Sequence, residues 1–291
     1  MNYTSLVTKK KQYKYSANIC FDMKDDEKLA GFIPNVTTTE ILREYLLGIS
    51  NRNADVHSRI LYGSYGTGKS HLLTVLSDLL GHVNTDGKGI VDFLKAISKY
   101  DKELASEIKR YVKEEKPYLV VPIYANFGDF DKCIIYSLKK ELERNNIGIC
   151  FKSYFDDALK LINRWNQGQE SSKRLKEVYK SNKIKETELI NGLENYDSKS
   201  EKEFNIVFRA MTYGAEFVSE AGNMIDNITL ANTVIAENYR GIIFLFDEFG
   251  RYIEDTGENI KVKDVQDLAE FCDHSDFDDY LILVSHKQLS L

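Results

Sequence analysis

Four short apolar runs along the chain predict β-strands that are buried in a sheet. They are Arg59–Tyr62, Tyr118–Asn126, Gly241–Phe246 and Tyr280–Val284. Pro122 lies in the second run, and because proline cannot donate to a sheet ladder, that strand is predicted to lie at an edge or a bulge. Strands that alternate with helices predict an α/β fold with a mainly parallel sheet. Apolar residues at helical spacing fill most of the intervals, at 38–49, 71–80, 90–115, 129–145 and 263–273.

Residues 150–238 differ from the rest of the chain because they are charged, asparagine-rich and helical in pattern, without a clear strand signal. Charges of both signs alternate over much of this stretch, as on solvated helices. We therefore predict a large helical insertion in the α/β core. The predicted organisation is an N-terminal arm at 1–27, the P-loop half of the core at 28–149, the insertion at 150–238, and the second half at 239–291.

The segment after the first predicted strand is Gly63-Ser-Tyr-Gly-Thr-Gly-Lys-Ser, which matches the P-loop pattern G-x-x-x-x-G-K-[ST] in full. Its glycines permit positive φ and let backbone N–H groups face a polyphosphate, and the following helix N-terminus adds partial positive charge. Lys69 can reach the β- and γ-phosphates of ATP, and the Ser70 hydroxyl can bind Mg²⁺. The predicted nucleotide contacts are Gly63, Ser64, Tyr65, Gly66, Thr67, Gly68, Lys69, Ser70 and His71.

The third predicted strand ends in Asp247-Glu248. A buried strand that delivers a carboxylate to the edge of the sheet can hold Mg²⁺, which is the role expected of Asp247. Glu248 is placed to polarise the attacking water, so Glu248 and Lys69 are the predicted catalytic residues. Together with the P-loop, this pair favours ATP hydrolysis over phosphoryl transfer to a small molecule.

The last strand is predicted to lie between the P-loop strand and the Asp247 strand, where its terminal polar residue would sense the γ-phosphate. Ser285 and His286 both fit that role, and the sequence leaves the choice open. Arg251 could stabilise charge in the transition state or form a surface ion pair. Asn126, at the end of the second strand, could position water.

Composition limits the broad class without changing this interpretation. The chain carries 39 Lys+Arg and 45 Asp+Glu, a net charge of −6, with 43% hydrophobic residues, as in soluble globular proteins. A local nucleic-acid site stays compatible with this balance. With neither a signal-peptide pattern nor a run long enough to cross a bilayer, the protein is predicted to be cytoplasmic, without a membrane partner. Cys272 and His274 lack a second ligand pair, which argues against zinc.

ATP is preferred to GTP because no strand ends in an N-K-x-D motif, and an ABC-type signature is missing. A second hypothesis is a nucleotide-dependent scaffold or signalling module that binds ATP with little hydrolysis. A small-molecule kinase is disfavoured, because such enzymes usually lack an adjacent Asp-Glu pair and have an arginine-rich lid.

Three segments carry a resemblance to a known family: Gly63–Leu73, Phe244–Tyr252 and Leu281–Lys287. They resemble the ATPase domain of large AAA+-like proteins of BREX-type phage defence, the BrxC or PglY group. The resemblance implies a P-loop three-layer sandwich, Mg²⁺-dependent ATP hydrolysis, and partners that are copies of the chain or other defence proteins, with DNA left open. It also implies that Gly31–Thr37 lies near the adenine, which adds the candidate contacts Phe32, Ile33 and Pro34.

In that class of ATPase, a fifth parallel strand and a helical lid follow the sensor strand. The sequence after Ser285 supplies neither, so we expect the chain to be the N-terminal ATPase part of a larger protein, with weak activity alone. One sheet edge should then be open or covered by the N-terminal region, because exposed edges invite association.

Overall fold

Four parallel strands form one sheet in the order β1-β4-β3-β2. The structure is a computed structural model that describes residues 29–50, 56–64, 66, 68–83, 85, 87–125, 129–149, 151–219, 222–256 and 262–286. The strands are β1 (Ser58–Tyr62), β2 (Leu119–Pro122), β3 (Ile242–Phe246) and β4 (Tyr280–Ser285). The predicted α/β class and parallel sheet are confirmed, as is the position of the last strand between the P-loop strand and the Asp247 strand.

Twelve helices accompany the strands in the described residues. They are α1 (Val36–Ser50), α2 (Lys69–Leu80), α3 (Lys88–Ile97), α4 (Lys102–Glu114), α5 (Phe130–Arg144), α6 (Tyr154–Gln167), α7 (Gln169–Asn182), α8 (Glu186–Glu194), α9 (Ser198–Met211), α10 (Met224–Ile235), α11 (Phe249–Thr256) and α12 (Val262–His274).

The chain divides into two compact units, and the first contains the whole sheet. It comprises residues 29–125 and 235–286 of the described chain. Strand side chains alternate between two faces, so Leu245, Ile282 and Val284 join the core formed with α1 to α4. On the other face, the rings of Phe249 and Tyr252 in α11 lie 5.2 and 5.1 Å from the ring of Phe246. Helices therefore cover both faces, which is compatible with a three-layer sandwich.

Strands β2 and β1 form the two edges of the described sheet. Pro122 ends β2, which is an edge strand in the described chain, as predicted from its missing N–H group. β1 forms the other edge, where Ile60 is 44% and Tyr62 65% exposed. The predicted N-terminal arm at 1–27 lies outside the described residues, so its expected role in covering an edge stays a prediction.

The second unit, residues 129–234 of the described chain, consists of helices α5 to α10 and contains no strand among those residues. Its helical character agrees with the predicted insertion, but its boundary differs. Helix α5, which we assigned to the P-loop half, belongs to this unit. The amphipathic pattern of α5 shows that one face is buried but not which core receives it.

The backbone packs closely where β3 begins, and substitution of Gly241 tests this close approach. Its carbonyl accepts from the Leu119 N–H at 2.9 Å, and a Cβ added there would overlap the backbone carbonyl of Asp278. Because backbone atoms cannot turn away as a side chain can, we expect Gly241→Ala to lower the free energy of unfolding by about 1–3 kcal/mol. Urea denaturation measures this change.

Gly148→Ala is the matched control, because a Cβ at Gly148 would meet no atom within 4 Å. Its effect should stay within about 0.5 kcal/mol, as for ordinary surface substitutions. Equal losses in the two variants would contradict the close approach at Gly241.

Candidate functional site

The glycine-rich loop connects the carboxyl end of β1 with the N-terminus of α2, as the sequence predicted. The Gly63 N–H donates to the Ser285 carbonyl at 3.2 Å, which ties the start of the loop to β4. Gly66 has φ +78° and Gly68 has φ +85°, backbone conformations that only glycine adopts at little cost. Gly68 caps α2 without a side-chain hydrogen bond, so the cap residue does not compete with an anion for the first N–H groups of α2.

Lys69 lies across its own loop. Its ammonium group donates to the carbonyl oxygens of Gly63 at 2.6 Å and Ser64 at 2.8 Å. A phosphate group offers this ammonium a full negative charge in place of two carbonyl dipoles, so the lysine is placed to exchange partners. Tyr65 and Thr67, the two other predicted contacts of the loop, lie outside the described residues.

The Ser70 hydroxyl and the Asp247 carboxylate are hydrogen-bonded to each other. Burial raises the pKa of Asp247 above its usual value, and the hydrogen bond from Ser70 acts in the opposite direction. The Glu248 N–H also donates to Asp247 Oδ1 at 3.0 Å. The fold thus brings together a hydroxyl and a carboxylate from distant segments, and both are hard oxygen ligands of the kind that Mg²⁺ prefers.

The donor set at this point fits Mg²⁺ better than a transition metal. Among the described residues, no group of three or more His, Cys, Asp or Glu side chains could hold a metal ion. Mg²⁺ keeps several waters and takes one or two protein ligands together with substrate phosphates, so Ser70 and Asp247 meet its requirement.

Glu248 occupies an unusual backbone conformation at the start of α11. Its φ is +58°, a left-handed value that is uncommon outside glycine, and its side chain is 56% exposed. Arg251 Nη1 lies 3.6 Å from the Glu248 carboxylate, and Arg251 Nε lies 3.5 Å from Asp255 Oδ2. The structure therefore places Arg251 in ion pairs with the residue before its helix and with Asp255 on the helix.

The two sensor candidates point in different directions. Ser285 is fully buried, and a Cβ on Gly250 would overlap its hydroxyl, so this side chain faces α11. Because strand side chains alternate, His286 follows Ile282 and Val284 toward α2 and is only partly buried. By the same alternation, Asp247 follows Leu245 on that face.

The proposed adenine segment packs beside the P-loop helix. The Phe32 ring lies edge-on to His71 at 5.6 Å and also contacts Phe93 at 5.6 Å. Phe32 and Pro34 are buried, whereas Ile33 is 67% exposed. The structure brings Phe32 and His71 together but makes Phe32 part of the core, which leaves Ile33 and His71 as the accessible members of this group.

Gly250 is a residue whose role the sequence reasoning missed. It allows α11, which begins with the residue after Glu248, to approach Ser285 at the end of β4. The sequence signal was a glycine two residues after the Asp-Glu pair. Glycine is unfavourable inside a helix, so its presence there indicates that another segment packs closely against the helix backbone.

Comparison of the chain with family models, curated proteins and solved structures found no match. Asn126, the proposed water-positioning residue, lies outside the described residues. Over the described part of the chain, no helix combines the length and the apolar character that a bilayer crossing requires.

Asp247→Asn tests the burial of this carboxylate through the pH dependence of stability. Because the pKa of Asp247 is raised in the folded protein, the folded state binds the proton more tightly than the unfolded chain. Stability therefore falls as the pH rises from about 4, the usual carboxyl value, through the raised value. We expect Asp247→Asn to raise Tm at pH 7, with a smaller gain at pH 4.

Thermal unfolding at the two pH values measures this difference. The control is Asp276→Asn, which changes an exposed aspartate by the same single charge. A gain at Asp247 that is no larger at pH 7 than at pH 4 would show that burial does not perturb this carboxylate.

Proposed function

We propose that the first unit is a P-loop module that binds Mg-ATP and hydrolyses it. The observation that carries this proposal is the hydrogen bond between the Ser70 hydroxyl and the Asp247 carboxylate. It joins a complete P-loop sequence to the end of a buried strand, at the carboxyl edge of a parallel sheet. In open α/β sheets, ligands bind outside that edge.

Each residue has a distinct task in this proposal. Backbone N–H groups between Gly63 and Ser70 surround the phosphates, and Lys69 neutralises their charge. Ser70 and Asp247 hold Mg²⁺, which supplies charge neutralisation for the transferred phosphoryl group. Glu248 accepts a proton from the attacking water.

The geometry also favours particular residues as the γ-phosphate sensor and as contacts of the adenine. His286 shares the face of the sheet with Asp247, whereas Ser285 is buried against Gly250, so His286 is the stronger sensor candidate. Ile33 and His71 would contact the adenine, because Phe32 and Pro34 are withdrawn into the core.

The wider role follows the sequence resemblance. We include in the proposal an AAA+-like fold for the first unit, with the helical unit as its insertion, and membership of the BREX-type defence ATPases. In that role the chain would be the ATPase part of a larger cytoplasmic protein. Hydrolysis would drive a conformational change or assembly with further copies or other defence proteins. The strand order β1-β4-β3-β2, with the P-loop after β1, supports the AAA+-like part.

One observation favours the second candidate, a scaffold that binds ATP with little hydrolysis. The Glu248 carboxylate is exposed and lies 3.6 Å from Arg251, an interaction that competes with water activation. Under this alternative, Arg251→Ala would increase a low basal ATPase rate. Under the leading proposal, the exposed ion pair is too weak to matter and the rate stays unchanged.

Lys69→Ala tests nucleotide binding. It removes the charged P-loop side chain, so we expect affinity for Mg-ATP to fall at least tenfold, which is about 1.4 kcal/mol, and hydrolysis to disappear. Isothermal titration calorimetry measures the affinity. Lys109→Ala, at an exposed position of α4, removes the same charge outside the site. Unchanged affinity in the Lys69 variant would overturn the P-loop assignment.

Glu248→Gln separates hydrolysis from binding. The amide keeps the shape but cannot accept the proton, so the single-turnover rate should fall on the order of a hundredfold while ATP stays bound. Asp247→Asn should instead weaken the response of ATP affinity to Mg²⁺. Radiolabelled ATP reports both quantities. Normal hydrolysis by the Glu248 variant would place the general base elsewhere.

A further inference from the structure

Half of the twelve lysines of the helical unit have carboxylate partners. Six lysines form ion pairs with nearby Asp or Glu side chains, at distances between 2.6 and 3.6 Å: Lys132, Lys139, Lys140, Lys160, Lys185 and Lys199. Such pairing neutralises the surface locally, so these lysines leave little charge for an external anion.

Four lysines without an ion pair lie close together, three on α7 and one at the residue that follows it. Lys173, Lys176, Lys180 and Lys183 are all exposed, and within the described part of the chain none of them lies in an ion pair. Spacings of three and four residues put Lys173, Lys176 and Lys180 on one side of the helix, and Lys183 follows the last helical residue with a left-handed φ of +56°. At 1.5 Å per residue, this lysine stripe is about 15 Å long.

The buried side of α7 lies next to the stripe and sets the rotation of the helix. Leu175 and Tyr179 are buried, and α7 packs against α6 and α9. Packing therefore fixes the rotation of the helix and leaves Lys173, Lys176 and Lys180 exposed beside the buried side, and Lys183 is exposed just after the helix. Arg174 is anchored separately, with its guanidinium 3.9 Å from the centre of the Tyr213 ring and a hydrogen bond to the Ala210 carbonyl.

The chemistry of the exposed face selects one kind of partner. The exposed residues of α7 are all polar or charged, so the helix lacks the apolar surface that inserts into a lipid interface. A row of flexible point charges without rigid reading groups fits the backbone of a nucleic acid, which presents one phosphate about every 3.4 Å along each strand.

We propose that the lysine stripe of α7 binds the phosphate backbone of duplex DNA without sequence preference. The stripe spans about four phosphates of one strand, one for each lysine. This activity belongs to the helical unit and does not depend on the ATP site. Glu177 borders the stripe and limits the affinity through its negative charge.

The test is fluorescence anisotropy of the full chain with a labelled duplex over a series of salt concentrations. Each phosphate contact contributes about 0.9 to the slope of log K against log salt. The variant K173Q/K176Q/K180Q/K183Q should therefore lose about 3.6 from the magnitude of that slope. Glu177→Gln should increase the affinity at a fixed salt concentration.

The matched control is K95Q/K140Q/K160Q/K199Q, which removes the same number of charges from lysines that are ion-paired. Its salt slope should equal that of the parent chain, and circular dichroism confirms that both variants fold. Equal slopes in the two quadruple variants would overturn the proposal. So would the absence of duplex binding by the parent, or stripe-dependent binding to anionic phospholipid vesicles in place of DNA.

Discussion

The pairing of β4 with β1 on one side and β3 on the other is the constraint on which the site depends. Without β4, the P-loop strand and the Asp247 strand would not lie in one sheet, and Ser70 could not reach Asp247. The hydrogen bond from the Gly63 N–H to the Ser285 carbonyl continues this pairing into the loop. Because β4 comes last in the described chain, the site forms only after contacts of very large sequence separation. The entropy of closing such a loop grows only slowly with its length, so a helical unit between β2 and β3 is tolerated.

Polar groups at the two ends of the sheet lie in different environments. At the amino end, the Tyr118 hydroxyl donates to Asp278 Oδ2 at 2.7 Å, and Asp278 also pairs with the nearly buried Arg240. Asp278 thus joins Tyr118 and Arg240, and burial raises the pKa of Tyr118 far above its usual value, so the phenol keeps its proton. At the carboxyl end, the raised pKa of Asp247 marks a carboxylate that is poorly solvated. A bound cation would relieve that cost, which is typical of functional positions.

Sequence reasoning located the elements of the site but not their mutual orientation. Strand β3 was expected at Gly241–Phe246 and is found at Ile242–Phe246, because a short apolar run between a glycine and an Asp-Glu pair leaves few alternatives. The orientation of Ser285 could not be predicted, since it depends on the missing side chain of Gly250 in another element. The same holds for the left-handed backbone of Glu248. Periodicity also could not assign α5 to the helical unit, because it reports that a face is buried and not what it packs against.

The net charge of −6 hides a separation of charge that matters more than the total. In the function proposed for the first unit, phosphate contacts would rest on backbone N–H groups and one lysine within a folded loop. Such short-range, partly buried interactions respond little to salt. On α7 and at the residue after it, four exposed lysines without carboxylate partners create a positive surface whose effect extends over about one Debye length, roughly 8–10 Å at physiological ionic strength. The protein would therefore offer two kinds of anion site. The glycine-rich loop would select its ligand by shape, and the lysine stripe would attract ligands with a high density of negative charge. Their different sensitivities to salt follow from burial alone.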